Sequence, residues 1–109
     1  MRLTTTTQIS LDGVMQGMGG PDEDRSGGFS RGGWALPLGD DESGAYLQEL
    51  YGSASAFLFG RRTYEIFADY WGVMPDPSAN AFAAALNGRP KYVASTSLTD
   101  PKWTGTTVL

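Results

Sequence analysis

The chain has neither cysteine nor histidine. Without cysteine there is no thiol nucleophile, no disulfide and no thiolate metal site. Without histidine, a Ser-His-Asp triad and a histidine-ligated metal are excluded within these residues, and no metal site is expected. Acid–base work falls to Asp, Glu, Tyr, Lys or a bound water. A surplus of positive charge is missing too. The net charge is -4, which argues against a nucleic-acid or anionic-membrane binder and still leaves room for one small basic pocket. No stretch approaches the roughly 18 apolar residues of a membrane span. The N-terminus reads Met1-Arg2-Leu3 followed by four threonines, so it has no secretory apolar region and a cytoplasmic location is expected. A chain so poor in reactive groups suits an enzyme whose cofactor supplies the chemistry.

Hydrophobic residues make up 40% and charged residues 18% of the 109, a globular balance that fits one domain. Residues 2–11 predict a strand, with Leu3, Ile9 and Leu11 on one face and threonines between. Asp12-Gly13 breaks it with a strong turn pair. Residues 16–33 hold seven glycines together with Pro21 and the charges Asp22 to Arg25. That composition predicts a mobile surface loop or a lid over a ligand. Its glycines do not follow a strand and open a helix, so they are not a dinucleotide fingerprint. Asp40, Asp41 or Ser43 caps a helix running to about Ser53, with Tyr46, Leu47, Leu50 and Tyr51 as its apolar stripe. Ala54 to Phe59 is an apolar run ended by Gly60 and reads as a strand buried on both faces. A short helix is expected from Thr63 to about Asp69. An alanine-rich helix follows from Ser78 to Leu86, stopped by Asn87-Gly88 with Pro90 beyond. Tyr92 to Ser95 is a third strand and Thr106 to Leu109 the start of a fourth. The alternation predicts an α/β fold with a mostly parallel sheet flanked by helices.

Chemistry concentrates in Gly60-Arg61-Arg62-Thr63. A strand runs into a glycine, then two arginines, then a helix start. Unpaired N–H groups at a helix N-terminus favour anions, and arginines add permanently charged, bidentate donors for phosphate. Gly60 lets backbone approach a ligand without a side chain in between. Taken alone, the same residues are equally compatible with two solvated surface charges and a capping Thr63.

Four segments in order extend the motif: Ser10-Leu11-Asp12-Gly13-Val14, Trp34-Ala35-Leu36-Pro37, Gly60-Arg61-Arg62-Thr63-Tyr64-Glu65, and Lys91-Tyr92-Val93-Ala94-Ser95-Thr96-Ser97. Together they resemble the dihydrofolate-reductase-like superfamily, and Ser-Leu-Asp-Gly in particular resembles its riboflavin-biosynthesis reductase branch. The resemblance implies NADPH as cofactor and a small-molecule substrate, a ribosyl-aminopyrimidine in the riboflavin branch. It implies that Gly60, Arg61, Arg62 and Thr63 hold the cofactor's 2′-phosphate and pyrophosphate. Ser95 and Thr96, with Ser97, would line its adenine-ribose end. Gln8, Ile9, Val14 and Met15 would pass near the nicotinamide. Asp12, Trp34 and Tyr46 become substrate-side candidates, although a turn role for Asp12 and packing roles for Trp34 and Tyr46 are the commoner uses of such residues. No catalytic residue is assigned. The acidic residue that dihydrofolate reductases carry early in the first helix falls on Gly44 when counted back from Gly60, and Asp40 or Asp41 fills the role only with a gap, which argues against folate reduction. The superfamily's later Gly-Gly cofactor turn is expected beyond Leu109, so the sequence reads as the N-terminal part of such a domain, ending as its fourth strand begins. An uncovered apolar sheet and an unpaired strand edge then predict a self-associating species, for instance a homodimer, or a partly molten one, or a fold completed by more sequence or a partner. A non-catalytic nucleotide-binding module, or an inactive remnant that keeps the phosphate site, stands as the alternative to an NADPH-dependent reductase.

Overall fold

The computed structural model describes residues 1–109. They form two compact units, Met1–Gly39 and Asp40–Leu109.

The second unit carries the regular structure. Helix α1 (Asp41–Ser53) is started by Asp40, whose carboxylate accepts the Ser43 N–H at 2.7 Å while the Ser43 hydroxyl accepts the Asp40 N–H at 3.3 Å. This is a reciprocal capping box. Strand β1 (Phe57–Gly60) leads directly into α2 (Arg61–Tyr70). A single 3-10 turn (Pro77–Ala79) precedes α3 (Ala81–Gly88), and β2 (Lys91–Ala94) and β3 (Thr106–Val108) complete a three-stranded sheet. Both pairings are parallel and the order is β1-β2-β3. This is an α/β fold of three parallel strands flanked by three helices.

The strands alternate between a packed and an open face. Phe57 and Phe59 of β1 and Lys91 and Val93 of β2 point to the core, where Tyr64, Leu86, Val93 and Trp103 are buried. The other face carries Leu58, 54% exposed, in register with Tyr92, 39% exposed, and Thr107. The expected burial of Ala54–Phe59 on both faces is therefore corrected: β1 is an edge strand with one covered face. Tyr51 joins α1 to this core through the rings of Phe57 and Phe82, at centroid distances of 5.6 and 5.0 Å.

Two helix starts also differ from the sequence pattern. Helix α2 begins at Arg61 with Gly60 as its N-cap, so Thr63 lies inside the first turn and does not cap. Helix α3 begins after Asn80, whose side chain accepts from the N–H groups of Phe82 and Ala83 at 2.9 and 3.2 Å. A capped break there costs less than continuing a helix out of the Pro77 turn, because Asn satisfies two donors at once.

In the first unit, residues 2–11 form no strand, contrary to expectation; Leu3, Ile9 and Leu11 are exposed. Alternating threonines supply strand propensity, but a strand is stable only when a neighbour takes its backbone groups and its apolar face. The loop beyond is organised. The Gln16 amide donates to the carbonyl of Ser26 at 2.9 Å and to that of Asp24 at 3.2 Å. The Trp34 indole N–H donates to the Gln16 carbonyl at 3.0 Å. Gly33 N–H reaches the Gly17 carbonyl at 2.7 Å and closes the loop at its stem. Gly17 (φ 62°) and Gly33 (φ 78°) both take left-handed backbone there.

Candidate phosphate-binding site at the start of α2

Gly60 is both the last residue of β1 and the N-cap of α2, and no side chain caps the helix. The first-turn N–H groups of Arg61, Arg62 and Thr63 therefore point outward from the carboxyl end of a parallel strand. Backbone N–H groups at a helix start and the positive end of the helix dipole favour an anion. No acidic residue stands in the first turn of α2. A Cβ built on Gly60 meets nothing within 4 Å, so the backbone is uncovered on that side.

The amphipathic spacing of α2 explains its orientation. Tyr64, Phe67, Ala68 and Trp71 recur at i, i+3, i+4 and i+7 and all belong to the core or pack against it. Arg61, Arg62 and Thr63 are exposed. Arg61 lies 3.5 Å from the Glu65 carboxylate, one turn further along the helix. Both partners are about half exposed, so this pair is weak and leaves most guanidinium donors available.

The neighbouring strand supplies the second wall. The β1–β2 register aligns Gly60 with Ala94. The chain thus leaves β2 toward Ser95 and Thr96 at the same sheet edge where it enters α2. The Ser95 hydroxyl accepts the N–H groups of Ser97 at 3.2 Å and Leu98 at 3.0 Å. It shapes the turn, and its remaining donor is one O–H. Thr96 is exposed. Gly60, Arg61, Arg62, Thr63, Ser95 and Thr96 are accordingly brought together by the sheet.

The remaining sequence candidates have their own settings. Asp12 sits in a turn, accepting the Ser10 hydroxyl at 2.6 Å, and that bond lowers its carboxyl pKa below the ordinary value. The Trp34 indole is engaged by the Gln16 carbonyl. Ile9 and Met15 are 56% and 58% exposed within the first unit, and Tyr46 is 64% exposed on α1. Tyr46 therefore does not contribute to the core stripe expected of that helix.

Behind the α2 start lies a polar network that local sequence patterns do not reveal. The Trp103 N–H donates to the Tyr64 hydroxyl at 3.1 Å, and the Trp103 indole N–H donates to Asn87 Oδ1 at 2.7 Å. The Asn87 amide donates to the carbonyls of Ala83 at 2.8 Å and Trp71 at 3.0 Å. The sequence hints at it only through a tryptophan in the connection after β2.

The chain is thus a parallel α/β sheet with an arginine-bearing helix start at its carboxyl edge, the edge at which open α/β sheets commonly hold ligands. The RibD C-terminal domain family matches residues 2–108, and the chain belongs to that family. It is thus a reductase-like domain of riboflavin biosynthesis within the dihydrofolate-reductase-like superfamily. No curated protein matches the sequence. No helix is long and apolar enough to cross a membrane.

Proposed function

We propose that this chain binds NADPH, holding the 2′-phosphate and pyrophosphate at the start of α2, in an oxidoreductase that reduces a ribosyl-aminopyrimidine or related heterocycle. The observation that carries this is the uncapped first turn of α2, with Arg61 and Arg62 in it, directly after Gly60 at the carboxyl end of a parallel strand. The donor set fits the cofactor's phosphates: backbone N–H groups for the anionic oxygens, two guanidiniums for the dianionic 2′-phosphate, and the Thr63 and Thr96 hydroxyls beside them. NADPH, when bound, supplies the hydride. The chain's own residues bind and orient the phosphate end, and the open approach at Gly60 admits it. Family membership supports the reaction class.

Fluorescence titration with NADPH and NADH tests this. A clear preference for NADPH is expected, because only NADPH carries the charge that the arginine pair matches. Equal affinities would refute the assignment of the pair to the 2′-phosphate.

A further inference from the structure

Trp103 lies in the connection between β2 and β3, far in sequence from the arginines, yet it meets α2 at both ends. Near the start of the helix, its backbone N–H donates to the buried Tyr64 hydroxyl at 3.1 Å, with the two rings 6.1 Å apart. Just past the helix end, a Cβ on Gly72 would fall 3.1 Å from the indole and 2.5 Å from the Ala68 carbonyl. Only a glycine lets the chain pass between them. The two α2-side residues stand eight positions apart in the chain and converge on the backbone and the ring of one tryptophan. A helix held at one point can roll, whereas two separated points fix both roll and slide.

Trp103 is itself immobilised from several sides. Its indole N–H is bound by Asn87 of α3, its ring stacks on Phe59 of β1 at 6.3 Å, and the Lys91 ammonium lies 4.7 Å from the ring centroid. The Thr106 hydroxyl donates to its carbonyl at 2.6 Å. We infer that Trp103, acting through the Tyr64 hydroxyl and the Gly72 contact, is the positioning residue that sets the roll of α2 and so aims Arg61 and Arg62 at the bound phosphate. This rests on the phosphate-site reading above. The lever is short: at the 5–6 Å radius of a helix with its side chains, a roll of about 10° moves a side-chain tip by about 1 Å. Bidentate contacts between guanidinium and phosphate do not tolerate that displacement without loss.

The test is calorimetric titration of the full chain with adenosine 2′,5′-bisphosphate. Tyr64→Phe keeps the ring and removes the acceptor. Gly72→Ala disturbs the other end of α2. Ala85→Gly lowers stability in α3 without touching either contact and serves as the control. Tyr64→Phe is expected to weaken binding by about three- to tenfold, Gly72→Ala to weaken it as well, and Ala85→Gly to leave it unchanged. In Tyr64→Phe, the amide resonances of Arg61 to Thr63 should also shift in the absence of ligand. Unchanged affinity in a folded Tyr64→Phe or Gly72→Ala chain overturns the positioning role, as does equal weakening in Ala85→Gly. Absence of binding by the parent chain would instead refute the phosphate site itself.

Discussion

The ammonium of Lys91 lies 4.7 Å from the ring centroid of Trp103, fully buried, with no carboxylate among its partners. Its acceptors are the carbonyls of Leu86 and Arg89, each at 2.8 Å, at the end of α3 and just beyond it. A cation there neutralises the negative end of the helix and satisfies carbonyls that the helix leaves orphaned. The ring adds a cation–π contact, stronger in a dry site than at a surface. One lysine thus links α3, β2 and the β2–β3 connection.

Lys91→Met should destabilise the second unit by about 1–3 kcal/mol, because a buried and a partly buried carbonyl lose their donor while removal of a desolvated charge offsets part of the cost. Urea denaturation followed by tryptophan fluorescence measures it. Parent-like stability would mean that the buried ammonium adds nothing over an apolar chain.

The same lysine makes stability depend on pH. Burial pushes its pKa below the ordinary lysine value of 10.5. Between the folded value and 10.5, the unfolded chain binds more protons than the folded one, so stability rises with pH across that window and the gain is lost as pH falls through the folded value. Burial pushes the Tyr51 hydroxyl above its ordinary 10.0, which acts in the opposite direction at the alkaline end. The stability difference between the parent and Lys91→Met cancels the tyrosine contribution. It is expected to widen as pH climbs toward 10.5, and a flat difference would contradict the lowered lysine pKa.

Arg61→Ala and Arg62→Ala should each weaken NADPH by about tenfold or more and NADH by less, since a charge-assisted bond to phosphate contributes about 1.5–3 kcal/mol. Parallel titrations of both cofactors read the ratio. Equal losses for NADPH and NADH would move the arginines away from the 2′-phosphate.

The α1 cap titrates at the acid end. The Ser43 hydroxyl and N–H both donate to the Asp40 carboxylate and hold its pKa below the ordinary 3.8. Its contribution is therefore present above 3.8 and lost as pH falls through the lower folded value. Asp40→Ala should remove that acid-dependent step from the helical circular dichroism, and an unaltered acid titration would show that the cap does not govern α1.

The glycine-rich loop is expected to protect its stem amides. Gly33 and Ala35 donate to the carbonyls of Gly17 and Met18 at 2.7 and 3.3 Å, beside the Trp34–Gln16 bond. Hydrogen exchange should be slowed at Gly33 and Ala35 relative to Gly27 and Gly28. Trp34→Phe, which keeps a ring but loses the indole donor, should accelerate exchange at both. Exchange at the unprotected limit throughout the parent loop would restore the purely mobile loop that composition suggests.

What the residues by themselves determined are the features set by near neighbours. Asp40 and Ser43 start α1 because a side-chain oxygen reaches an N–H three residues on. Asn87-Gly88 and Pro90 end α3, and the apolar run into Gly60 announced a strand that leads straight into a helix. Each depends on groups within about one helical turn, so each was legible. Tertiary structure alone decided the rest. Strand propensity in residues 2–11 found no partner, the packed face of β1 was chosen by what lay against it, and Lys91 was buried beside a tryptophan twelve residues away in sequence. Tyr64 and Trp103, 39 residues apart, were joined by one hydrogen bond. Such pairings are selected by how elements pack and by the high cost of leaving a buried polar group unpaired, and neither acts at the range over which a local pattern can be read.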